Sequence, residues 1–125
     1  MPVSAEELHQ LAQEFADCRR GLAALGDTNR QHLLLEMMQM APCSGVRVGE
    51  ITQRTHLSRP AVSHHLKILK EAGIIQMRRE GTRNYYFIAA DQKEMARLRR
   101  MLDHVARVMQ TLHPGETILQ QKGEQ

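Results

Sequence analysis

The chain has 125 residues, 42% hydrophobic and 25% charged, with a net charge of +3; this is one domain's worth of chain with a modest core, neither disordered nor able to span a bilayer. Residues 1–10 are polar and acidic with no signal-like segment, and two cysteines, Cys18 and Cys43, make no disulfide framework, so a reducing, cytoplasmic setting is expected. The sequence also lacks CxxC, HExxH and a glycine-rich phosphate loop, so the usual closed zinc sites and nucleotide cradles are excluded.

Ser4, followed by Glu6 and Glu7, reads as a helix start with acids facing the positive end of the dipole. Leu8, Leu11, Phe15, Cys18, Leu22 and Leu25 recur at spacings of 3 and 4, a single apolar stripe. Gly21 weakens that helix by roughly 1 kcal/mol relative to Ala, and a break is expected near it. Asp27 or Thr28 caps a second helix through His32, Leu33, Leu34, Met37, Met38 and Met40, which Pro42 and Gly45 end. A short helix fits residues 48–55, with Val48 and Ile51 inward, and His56-Leu57 forms a tight turn. Ser58 is an N-cap and Pro60 sits in the first turn of the next helix. That helix buries Val62, Leu66 and Leu69 and ends near Ala72, with Gly73 as its C-terminal cap. The period then changes: residues 74–79 and 83–88 read as two strands joined by Glu80-Gly81-Thr82, and three of the four aromatic residues, Tyr85, Tyr86 and Phe87, lie in the second. Asp91 caps a last helix carrying Met95, Leu98, Leu102, Val105, Met109 and Leu112, stopped by Pro114-Gly115.

Charge is unevenly distributed along these elements. Residues 1–53 hold four basic and seven acidic side chains, whereas residues 54–83 hold seven basic ones against Glu71 and Glu80. A concentrated basic block is the footprint of a polyanion-binding surface. The order of short helix, tight turn, helix and hairpin is that of a winged helix-turn-helix, whose second helix enters the major groove of duplex DNA. With Val62, Leu66 and Leu69 inward, Arg59, Ser63, His64 and Lys67 point outward, and Ser58 marks the helix start. Arg59 can fork onto guanine O6 and N7, Ser63 and His64 can reach a base edge or a phosphate, and Lys67 suits a phosphate. Arg78, Arg79 and Arg83 flank the hairpin turn and suit the DNA backbone. His65 flanks the buried face and is expected to be packed and hydrogen-bonded.

Residues 57–75 (LSRPAVSHHLKILKEAGII), residues 78–86 (RREGTRNYY) and residues 22–30 (LAALGDTNR) together resemble the ArsR/SmtB family of bacterial repressors. The resemblance covers roughly residues 20–110. It implies a homodimeric winged-helix repressor whose first and last helices pair across the two-fold axis and whose DNA binding an effector loosens. The residues themselves also ask for a dimer: Leu8, Leu11, Phe15, Leu98, Leu102, Val105 and Met109 form stripes beyond the needs of so small a core. The expected division is a dimerisation helix over 1–26, a DNA-binding core over 27–90, a second dimerisation helix over 91–113 and a flexible tail over 114–125. A two-fold dimer sets its recognition helices roughly 34–36 Å apart and requires a near-palindromic operator.

The effector is less defined. Metal-sensing members of the resembled family carry a cysteine pair where this chain has Val48-Gly49-Glu50-Ile51. Asp103, His104, His113 and Glu116 fit a second, histidine–carboxylate site only in part, because Pro114 interrupts the helix and the spacing is wrong. Cys18 and Cys43 offer a thiol-redox switch. No cofactor is expected, nor an enzyme, since no nucleophile has a base and an orienting acid at a recognisable spacing. The competing reading is a winged-helix module that binds a protein partner; the basic outward face of residues 59–83 favours DNA.

Overall fold

A computed structural model describes residues 3–40, 44–89 and 91–113. Six helices and one hairpin follow in order: α1 (Ala5–Asp17), α2 (Arg19–Leu25), α3 (Thr28–Gln39), α4 (Val48–Thr52), α5 (Arg59–Glu71), β1 (Ile75–Glu80), β2 (Arg83–Ile88) and α6 (Lys93–Leu112).

Local chemistry explains most of the boundaries. The Ser4 hydroxyl accepts from the Glu7 N–H at 3.0 Å, Asp27 Oδ1 from Arg30 N–H at 3.0 Å, and Ser58 Oγ from Ala61 N–H at 3.3 Å. Each satisfies one of the donors that a helix leaves unpaired at its start. Gly73 takes φ +80° just beyond α5, a left-handed turn that directs the chain into the hairpin. The hairpin turn is tighter than the sequence suggests. Glu80 pairs with Arg83, leaving only Gly81 and Thr82 between the strands. Gly81 at φ +64° supplies the positive dihedral that such a two-residue turn needs.

Three expectations change. The first stripe breaks at Cys18, not near Gly21: Cys18 closes α1 and opens α2. Gly21 lies inside α2, where an added Cβ would meet Leu98 Cδ1 at 3.2 Å, so this glycine allows α2 and α6 to approach. The short helix ends at Thr52, three residues early. Gln92, not Asp91, is the cap of α6, although Asp91 Oδ1 still accepts from Lys93 N–H at 3.3 Å. Cys43, Glu116 and the proposed 114–125 tail lie outside the described residues.

The core lies between α3, α4, α5 and the base of the hairpin. Leu33, Met37, Ile51, Val62, Leu66, Leu69 and Ile75 are fully enclosed there. A smaller cluster of Cys18, Leu98 and Met101 sits under α1, α2 and α6. The hairpin is fastened to the helical body by Val46, which exchanges two backbone hydrogen bonds with Tyr86, at 2.7 and 2.8 Å.

Candidate nucleic-acid interface

Burying Val62, Leu66 and Leu69 fixes the rotation of α5 about its own axis. Ser58, Arg59, Ser63, His64 and Lys67 consequently all emerge on the exposed side. Among the described residues, neither the Arg59 guanidinium nor the Lys67 ammonium has a hydrogen-bond or ion-pair partner, so both charges are available to a polyanion. The Ser58 hydroxyl oxygen caps the helix by accepting one hydrogen bond and still has its O–H to donate outward.

The wing sorts its three arginines differently. Arg78 Nε donates to Glu80 at 2.6 Å and Nη2 to the Ser44 carbonyl at 3.0 Å, while its guanidinium lies over Tyr85, 5.3 Å from the ring centre. Arg78 therefore braces the wing, and its charge is partly spent within it. Arg79 Nε closes the turn onto Gly81 O at 3.1 Å, with its terminal nitrogens still outward. Arg83 is exposed and unpaired among the described residues. Strand register puts Arg83 opposite Glu80 and Arg79 opposite Asn84, so these two arginines leave the wing on opposite faces.

His65, the neighbour of the outward His64, is half-buried as expected. Its Nδ1 lies 3.2 Å from Arg30 Nη1. Burial, with smaller contributions from Arg30 and His64, pushes its pKa below 6.5 against the pull of Asp27. Arg30 also donates to Ala24 O and Ala23 O, each at 3.0 Å. This clamp was not anticipated, although the Asp27-x-x-Arg30 spacing contains its first contact.

The candidate dimer and effector residues divide as clearly. Leu8, Phe15, Leu102 and Met109 are exposed, the last by 62%. Leu11 and Leu98 are buried within the protomer and offer a partner little surface; Val105 is intermediate. Cys18 is 3% exposed, and its thiol faces the Arg97 carbonyl at 3.7 Å. Burial raises its pKa, the opposite of what a reactive thiolate needs. His104 is buried between two acids of α1: Nδ1 meets Glu14 at 2.7 Å and Nε2 meets Glu7 at 3.0 Å. Those hydrogen bonds hold its pKa above 6.5. The carboxylates occupy opposite ring nitrogens and do not converge on one point, and no group of three or more His, Cys, Asp or Glu among the described residues is arranged to hold a metal ion. Asp103 and His113 are exposed. No helix among the described residues is long and apolar enough to cross a membrane.

Comparison with known proteins agrees with this architecture. Residues 31–77 match the model of the bacterial regulatory protein, arsR family. An uncharacterized HTH-type transcriptional regulator of Methanocaldococcus jannaschii is 40% identical over 60% of this chain and 82% of its own length. A transcriptional repressor SmtB homolog of Synechocystis is 30% identical over 82% of this chain and 69% of its own. The solution structure of a homodimeric winged helix-turn-helix DNA-binding domain from Mycobacterium bovis, a possible ArsR-family regulator, is 30% identical with a TM-score of 0.54, covering 86% of this chain and 91% of that one. The hairpin-bearing helix-turn-helix and these sequence matches together show that the chain belongs to the arsR family of bacterial transcriptional regulators.

Proposed function

We propose that the protein is a homodimeric repressor that binds duplex DNA in a sequence-specific way, reading bases with α5 and backbone with the wing. The observation carrying this reading is the set of outward cations, unpaired among the described residues, on one winged helix-turn-helix: Arg59 and Lys67 on α5, and Arg83 on the wing. Arg59, at the helix start, is the base-reading candidate, with Ser63 and His64 beside it. Lys67, Arg79 and Arg83 neutralise phosphates. The homodimeric relative and the exposed apolar residues of α1 and α6 support the two-fold arrangement. The Synechocystis relative's description as a repressor supports the direction of regulation. The raised pKa of Cys18 argues against a thiolate trigger at that position.

Fluorescence anisotropy on DNA upstream of the protein's own gene, with scrambled DNA as control, tests the reading. Binding should favour the upstream DNA, and Arg59→Ala should cost about 1–3 kcal/mol and relax the preference at one base pair in each half-site. An equal loss on every sequence would refute base reading by Arg59. Absence of any preference in the unmodified protein would favour a protein-binding winged helix or an operator elsewhere.

A further inference from the structure

We propose that Arg30 and His65 form a lock that holds the recognition helix α5 in register with α2, making His65 a positioning residue for operator recognition. The proposal rests on the DNA-binding reading above. One guanidinium joins three elements: from α3, Arg30 donates to two carbonyls at the end of α2 and meets the ring of His65 on α5. An arginine has only donors, so His65 Nδ1 must be the acceptor and the imidazole must be neutral there. The planar fork fixes direction as well as distance, which a lysine in its place would not do.

The position of the lock gives it leverage over recognition. Gly21 lets α2 lie directly on Leu98 of α6, one of the two helices proposed to form the dimer. A continuous path therefore runs from α6 through α2 to Arg30, then through His65 to α5. His64, a base-edge candidate, immediately precedes His65 on that helix. A recognition helix released from Arg30 keeps its charges and its packed face but loses its fixed setting against the dimerisation helices. Protonating His65 would do the same, placing two cations 3.2 Å apart. The charged groups acting on the ring are Asp27 and Arg30 at the start of α3 and His64 on its own helix.

The test compares the full chain with His65→Asn, whose side-chain oxygen can replace Nδ1 as acceptor, and His65→Leu, which has no acceptor. Circular dichroism checks that each is folded. The readout is the ratio of operator affinity to scrambled-DNA affinity. The lock predicts that His65→Leu lowers this ratio about tenfold or more while scrambled binding stays within about twofold, and that His65→Asn stays within about threefold of the parent. A His65→Leu protein with the parental ratio overturns the lock, as does one whose affinity for both DNAs falls equally. Should His65→Leu not fold, titration of the parent decides: the ratio should fall between about pH 8 and about pH 5, and His65→Asn should remove that fall. A fall that persists in His65→Asn comes from another group and overturns the proposal. If the parent shows no preference for any DNA, the DNA-binding reading fails, and ring-nitrogen NMR at about pH 8 judges the lock alone. Nδ1 without a proton then supports the contact with Arg30, and a protonated Nδ1 overturns it.

Discussion

Arg78 and Arg83 carry the same charge on one face of one hairpin, yet their surroundings assign them different work. Arg78 is held by Glu80, Ser44 and the Tyr85 ring, whereas Arg83 has no such restraint among the described residues. Arg83→Ala should reduce the slope of log affinity against log salt by about 0.9 per protomer, the loss of one phosphate contact. Arg78→Ala should leave the slope nearly unchanged and lower stability by about 1 kcal/mol, since exposed ion pairs and single hydrogen bonds contribute little more. Equal changes in salt slope would contradict the division. The sequence places both arginines at the hairpin turn but does not separate them. Arg78's carbonyl partner is Ser44, 34 positions earlier, and no spacing rule reaches that far.

At the level of single elements, most caps were readable because their chemistry is local, though the cap of α6 and the exact hairpin turn were not. Ser4, Asp27, Ser58 and Gly73 each act within three or four residues. Gly73→Ala should destabilise the protein by about 1 kcal/mol or more from the left-handed backbone alone. Its added Cβ would also come 2.5 Å from Glu94 Cγ, so the Glu94 side chain has to shift. Urea unfolding would measure the sum. The kink at Cys18 was not readable, because no local breaker marks it and the stripe continues through it unchanged. Nor was the bridge from His104 to Glu7 and Glu14, which spans 97 and 90 positions. That bridge fastens α1 to α6 and depends on charge. Two carboxylates can both accept from the ring only when it carries both protons. The folded pKa lies above 6.5, so the stabilisation is complete below 6.5 and is lost as pH rises through the folded value. The thermal midpoint should therefore fall from about pH 6 to about pH 9 by more in the parent than in His104→Gln. Parallel curves would show that the bridge contributes nothing.

On the scale of the whole molecule, α1 and α6 present two different sides. On α1, Glu7 and Glu14 turn toward His104, while Leu8 and Phe15, one position on in each case, stay exposed. On α6, Leu102 and Met109 are 54% and 62% exposed. Periodicity revealed that both helices are amphipathic, but it did not separate residues that pack within the protomer from those left for a partner. Leu98 packs within the protomer, whereas Leu102 is exposed. Leu102→Glu should give a folded monomer in sedimentation and abolish operator binding, whereas Leu98→Ala should lower stability by about 2–5 kcal/mol through a cavity. A Leu102→Glu protein that still sediments as a dimer would place the interface elsewhere.

The two backbone bonds between Val46 and Tyr86 add a single bridging residue beside the two-stranded hairpin, away from its tip. A hairpin standing alone would exchange its amide hydrogens with solvent almost freely. Here the Tyr86 amide should exchange slowly, together with those of the core, while amides near Gly81 exchange quickly. Little chain entropy then remains to be lost from the root of the wing on docking, and the ordering cost of association falls on the few residues around the turn.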